Sequence, residues 1–237
     1  MDRRGWLLVL VLGALLSGPV LAGPTYPCQQ ETLEWYVLNP GCAIGVFTVK
    51  GFSYSNEGVT IPASMITVQP FAGPQGPRLD FSSGAFFVGA DQKAVLTLVY
   101  NIDPPPIIIR GFDEEMFAET PAFPGFVTID TALCVGGSFP NCGGTSDNRP
   151  LLLFLQLAHY GEGDERNRLR DSIMFPPGLV AYILGVSHTI TLDALEGGSA
   201  SFGALRNQAY TVPEPGTWLL LGCGLLSLAV LRRRRAG

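Results

Sequence analysis

Residues Ala94–Asn101 read AVLTLVYN. Side chains of an extended chain alternate between two faces, so Val95, Thr97 and Val99 share one face and Leu96, Leu98 and Tyr100 the other. That period of two fits a strand and not a helix. The same pattern continues outward. Ile44–Tyr54, IGVFTVKGFSY, sets Val46, Thr48 and Lys50 against Phe47, Val49 and Phe52. Further candidate strands are Val59–Val68, Ile107–Phe112, Phe126–Val135, Leu151–His159, Leu179–Leu192 and Ser199–Thr211. The 29 glycines and 19 prolines supply turns between them. Short strands at this spacing predict an all-β chain, an antiparallel β-sandwich of jelly-roll-like or similar topology. Pro104-Pro105-Pro106 belongs at a loop or strand entry, because proline cannot fill a central ladder. Glu162–Ile173, EGDERNRLRDSI, lacks an apolar stripe and reads as an exposed loop with a turn of helix. Asp113-Glu114-Glu115 reads as a second solvated loop. Calcium is the competing reading for both acidic loops, although neither has EF-hand spacing.

The two ends have a different character. Arg3 and Arg4 precede an apolar run from Trp6 to Leu16, broken by Gly18-Pro19 and closed by Val20-Leu21-Ala22. Charged, apolar and small-residue regions in that order predict a signal peptide over residues 1–22, cleaved at Ala22. At the other end stands VPEPGTWLLLGCGLLSLAVLRRRRAG. Thr217–Leu231 is an apolar or small stretch, shorter than the roughly 20 residues of an ordinary spanning helix. Trp218 at its leading edge suits the membrane interface, and Arg232, Arg233, Arg234 and Arg235 resist translocation, so the segment predicts a weak membrane stop in a C-terminal transmembrane helix. Pro213 and Pro215 hold the residues before it extended, a form that a protease cleft accepts.

Val212-Pro213-Glu214-Pro215, the short apolar helix with Gly222 and Gly224, and the terminal arginines together resemble a PEP-CTERM sorting signal. The resemblance implies an exported precursor in a Gram-negative-type envelope. It implies recognition by an exosortase, a membrane-embedded processing enzyme often linked to exopolysaccharide production. The body is similar to exported PEP-CTERM proteins of uncharacterised function through FTVKGFSYS, IPASMITVQPF, RLDFSSGAFFVGADQKAVLTLVYNI and GGSASFGALRNQAYTVPEP. The chain therefore divides into a signal peptide at 1–22, an exported β-sandwich domain at 23–212 and a sorting signal at 213–237.

Of 15 basic and 20 acidic residues, six basic ones (Arg3, Arg4, Arg232–Arg235) and two acids (Asp2, Glu214) lie in the ends, which leaves the exported part with 9 against 18. A net charge of −9 repels nucleic acid, and no nucleic-acid partner is expected. Four cysteines fall in the exported part: Cys28, Cys42, Cys134 and Cys142. An even number in an oxidising compartment predicts two disulfides. Four cysteines allow three pairings. The favoured one joins Cys28 to Cys42 and Cys134 to Cys142, the two short loops, and the rival is a metal site, for which the spacing is wrong.

Catalytic constellations are wanting. Ser187 and His188 are neighbours on one candidate strand and point to opposite faces, so they cannot act together. Thr189 stands where a nucleophile elbow needs its second glycine. His159 ends an apolar strand and is expected at the surface. No phosphate loop or metal-ligating histidine pair occurs, and no catalytic residue, metal or cofactor is assigned. Trp35 is the sole tryptophan of the exported part, while Phe86, Phe87 and Tyr100 are assigned to the core. The expected function is a non-catalytic cell-surface or matrix protein, with exosortase, the membrane before processing and exopolysaccharide as partners. A secreted, glycan-active hydrolase on the same scaffold is the alternative.

Overall fold

The computed structural model describes residues 26–103, 107–117, 125–142, 151–160, 164–176, 179 and 181–213. The signal peptide with Ala22, the Pro104-Pro105-Pro106 run, and the membrane stop with Trp218 and Arg232–Arg235 lie outside the described residues. Glu214 and Pro215 of the sorting motif lie outside them too.

The strands are β1 (Glu31–Thr32), β2 (Cys42–Ile44), β3 (Phe47–Gly58), β4 (Thr67–Gly73), β5 (Gly76–Ser82), β6 (Phe87–Val88), β7 (Gln92–Asp103), β8 (Ile107–Phe117), β9 (Gly125–Val135), β10 (Leu151–His159), β11 (Arg170–Met174), β12 (Leu184–Ala194), β13 (Ala200–Ser201) and β14 (Ala204–Pro213). One short helix, α1 (Leu33–Leu38), is capped by Thr32, whose hydroxyl accepts from the Trp35 amide at 3.2 Å. One six-stranded sheet runs β1-β4-β5-β14-β8-β11 and the other β10-β9-β12-β7-β3-β2, with all named pairs antiparallel. The small pair β6 and β13 stands apart from both. The all-β, antiparallel, sandwich-like architecture is the one that the alternating pattern predicts.

Strand β7 sets the inner face of the second sheet. Leu96, Leu98 and Tyr100 are buried, whereas Val95, Thr97 and Val99 are only partly covered. Phe47, Val49 and Phe52 of β3 are buried beside them. The inward positions of β3 change from odd to even between Val49 and Phe52, which requires one extra residue. The ladder with β7 shifts register between Lys50 and Ser53. Gly51 takes φ +65° there, and a Cβ would stand 2.8 Å from the Asn101 amide nitrogen.

Several elements differ from the expectation. Val59–Val68 is not one strand: a 3₁₀ turn at Ala63–Met65 interrupts it, and β4 begins only at Thr67. β5 lies in a stretch punctuated by Pro74, Gly76 and Pro77, whose turn chemistry hides the strand. Asp113-Glu114-Glu115 is the middle of β8 and not a loop. The charged stretch before Ile173 contributes β11, an edge strand, whose Arg170 pairs with Asp113 and whose Asp171 pairs with Arg168. His159 is 7 % exposed, because its place in β10 turns it inward opposite Val127. Phe87 is exposed at 53 %, while Phe86 stacks on Phe202 in the core at 4.3 Å between ring centroids.

Cys28–Cys42 and Cys134–Cys142 are disulfides, closing separations of 14 and 8 residues. The first ties the chain ahead of α1 to β2; the second ties the loop after β9 back to its strand. No helix among the described residues is long and apolar enough to cross a membrane.

Candidate functional site

The edge strands β10 and β11 belong to different sheets, and they approach each other at one side of the sandwich. An isolated antiparallel bridge, Ala158 to Arg168, joins β10 to the chain just ahead of β11. Beside it lies a groove of about 590 Å³ whose lining includes Asp130, Phe154, Gln156, Arg168, Asp171 and Ser172. Register explains its shape. On the outward face of β10, Phe154 stands opposite Ala132 of β9, and Gln156 opposite Asp130. Ala132 is too small to cover the aromatic ring, and no further strand of the same sheet lies beyond β10, so Phe154 is 70 % exposed.

The polar groups of the groove are held by one another. Gln156 Nε2 donates to Asp130 Oδ1 at 2.6 Å. Asp171 accepts from the Gln156 amide (3.1 Å), from Arg168 Nη2 (2.5 Å) and from the Ser172 amide (2.9 Å). Asp171 is therefore fixed by three donors, while a carboxylate, an amide and a guanidinium are presented around one open aromatic face.

A second polar cluster lies between the sheets. Glu114 and His188 have no exposed side-chain surface, and Thr131 and Asn207 are buried with them. Thr131 donates from Oγ1 to Glu114 Oε1 at 2.7 Å, and the same hydroxyl lies 2.7 Å from His188 Nδ1. His188 Nε2 lies 2.9 Å from Asn207 Nδ2. Glu114 and Asn207 come from β8 and β14 of one sheet, Thr131 and His188 from β9 and β12 of the other. Tyr100 packs against the imidazole with centroids 5.8 Å apart. Its phenol is pushed far above the ordinary range by burial and then by the Glu114 charge, against which hydrogen bonding to Asn207 acts. Enclosed on all sides, this cluster pins the two sheets together and offers no face to a substrate.

The three acids of β8 each have a partner: Asp113 with Arg170 (2.9 Å), Glu114 with His188 (3.1 Å) and Glu115 with Arg206 (3.1 Å). Among the described residues no three histidine, cysteine or acidic side chains are grouped to hold a metal. Ser187 and His188 point to opposite faces, as adjacent strand residues must. His188 instead meets Glu114, a residue 74 positions earlier, and no local motif signals that pairing. Phe154, Gln156 and Asp130 were likewise concealed, since alternation places them on outward faces without revealing which strand is an edge.

Val212 and Pro213 end β14. This strand lies between β5 and β8, and its pairing with β8 continues to Pro213 opposite Ile107. β14, the last strand in chain order among the described residues, thus ends on Pro213, the first residue of the Pro-Glu-Pro segment.

The family model described as the PEP-CTERM protein-sorting motif matches residues 211–235. The chain carries this motif, as an exosortase substrate does, and such a motif marks an exported precursor sorted to the cell surface. Among solved structures, the chain is similar to TmCBM61 in complex with beta-1,4-galactotriose, at 11 % identity and TM-score 0.30, over 68 % of this chain and 88 % of that one. It is similar to a family 11 carbohydrate-binding module from Clostridium thermocellum in complex with a beta-1,3-1,4-mixed-linked tetrasaccharide, at 11 % identity and TM-score 0.25, over 78 % and 95 %. A third similarity is to the enzymatically active domain of tailspike protein 4 of bacteriophage CBA120, at 14 % identity and TM-score 0.26, over 65 % of this chain and 19 % of that one. At these identities and scores none of the activities in those names transfers. No curated protein matches the chain.

Proposed function

We propose that this chain is the precursor of an exosortase-processed cell-surface or extracellular-matrix protein that acts without catalysis and associates with exopolysaccharide. The observation that carries the reading is the sorting motif at 211–235, joined without a spacer to the end of β14. In this reading residues 1–22 are removed on export at Ala22. Thr217–Leu231 and Trp218 then hold the precursor in the inner membrane, with Arg232–Arg235 on the cytoplasmic side, while Val212-Pro213-Glu214-Pro215 is presented to the exosortase. The two disulfides suit an oxidising destination. The hydrolase reading loses ground at the groove, because Asp171 is held as a carboxylate by three donors, Arg168 among them, and Asp130 accepts from Gln156, which leaves neither acid poised to give up a proton.

Cell fractionation tests the reading. Replacing Pro213, Glu214 and Pro215 with alanine should leave export intact and trap the precursor in the membrane of an exosortase-bearing host. Release of that variant at the wild-type rate would overturn it.

A further inference from the structure

We infer that the groove between β10 and β11 is a binding site for a neutral polysaccharide, with Phe154 as the stacking face. The inference rests on the proposed surface role and assigns it a place and a ligand class. A phenylalanine exposed at 70 % offers apolar area whose covering by a ligand is favourable, and its exposure is built in by the edge position of β10 and by Ala132 opposite. Sugar rings have apolar C–H faces that cover such a ring, and hydroxyl rims that need donors and acceptors close by. The groove supplies both around Phe154: the Asp130 carboxylate and Gln156 amide to one side, Arg168 and Asp171 to the other. The hydrogen bonds among them fix these groups before a ligand arrives, which lowers the ordering cost of binding.

The surface next to the groove continues the same chemistry. In register with Phe154 and Ala132 comes Ser187 of β12, and in register with Gln156 and Asp130 comes Thr189, followed by Thr97 of β7. These side chains are only partly covered. These small side chains, with Val99 beyond Ser187, lead away from an exposed ring across neighbouring strands, which fits an extended chain of sugars better than a single small molecule.

Charge selects the class. The groove contains two carboxylates, Asp130 and Asp171, against one guanidinium, Arg168, and that guanidinium is already paired with Asp171. The exported part as a whole is at −9. A uronate or sulfated chain would meet Asp130 without a free cation to offset it, whereas neutral hexoses meet carboxylates that accept from hydroxyls.

The test is native affinity electrophoresis of the exported protein, purified from an exosortase-bearing host, in gels containing a mixed-linkage β-glucan, a β-galactan or alginate. At least one neutral polymer should retard the wild type and alginate should not. Phe154→Ala should weaken the retardation about tenfold, since loss of one stacked ring amounts to about 1.4 kcal/mol. Phe87→Ala, which removes an exposed ring elsewhere on the domain, should leave it unchanged. Far-UV circular dichroism and thermal melting of both variants verify the fold. Equal retardation of Phe154→Ala and wild type overturns the groove while leaving polysaccharide association standing. Retardation by alginate alone overturns the ligand class. No retardation in any gel overturns the inference, and the broader reading then falls only if the protein also fails to co-fractionate with its host's exopolysaccharide.

Discussion

Glu114 of β8 and His188 of β12 meet across the interior of the sandwich, with Oε1 3.1 Å from Nδ1 and neither side chain exposed. With Thr131 and Asn207 they join one sheet to the other through polar contacts, in a core made mostly of aliphatic and aromatic side chains. Breaking such a cluster from one side strands the partners without water. Glu114→Ala should therefore destabilise the domain by about 3–5 kcal/mol. Glu114→Gln keeps an acceptor for Thr131 and should cost less. Urea unfolding monitored by intrinsic fluorescence gives both values, and a loss below about 1 kcal/mol for the alanine variant would reduce the cluster to a passive packing feature.

The disulfides should contribute through the unfolded chain. Closing loops of sequence separation 14, from Cys28 to Cys42, and 8, from Cys134 to Cys142, limits the denatured ensemble. In the loop-entropy account these amount to about 3 and about 2.5 kcal/mol. Double-alanine variants of each pair, compared by denaturant midpoint, should follow that order. Thiol titration of denatured, unreduced exported protein should find none of the four cysteines free.

His159 gives the domain an acid-sensitive point. Burial holds its pKa below the ordinary value of 6.5. The unfolded chain then binds a proton at a higher pH than the folded one does. Stability is complete above the unfolded pKa and declines as pH falls through the window between that value and the lower folded one. His159→Gln should flatten this limb of the stability curve as pH falls below the ordinary histidine value of about 6.5. Thermal melts across that range provide the measurement, and an unchanged slope would assign the acid response elsewhere.

The position of β14 makes a separate prediction about where the exported domain ends. The strand pairs on both sides from Ala204 to Gln208 and on the β8 side to Pro213. A chain ending at Pro213 should match the stability of the processed protein to within about 0.5 kcal/mol. A chain ending at Gly203 removes a central strand and should not fold. Limited proteolysis of the two truncations distinguishes them: both resistant, or both degraded, would contradict the role given to β14.

How far the sequence discloses this molecule varies with the range of the interaction concerned. Alternation in β7, β9 and β12 is a local property, and each inward face can be read directly from it. The bulge in β3 is visible as a change of parity across Gly51. β5 is not, because its prolines and glycines give the signal of turns while tertiary pairing with β4 and β14 draws them into a ladder. Acid runs mislead for a related reason. Asp113-Glu114-Glu115 has the composition of a solvated loop, yet Arg170, His188 and Arg206 approach from distant strands and make a strand possible. His159 turns inward for want of any local marker. The groove was hidden because it depends on β10 and β11 being the edges of two sheets, which is a matter of topology and not of pattern. The sorting segment is the opposite case: its motif, apolar run and arginines are contiguous, so nothing about it depends on the fold.

Intact-mass spectrometry of the protein's C-terminus, from one host that has an exosortase and one that lacks it, tests the central claim most directly. The account predicts loss of the apolar segment and Arg232–Arg235 in the first host, with a new terminus in or beside Val212-Pro213-Glu214-Pro215, and a chain that still ends at Gly237 in the second. Gly237 intact in both hosts would contradict it and leave the tail a plain membrane anchor.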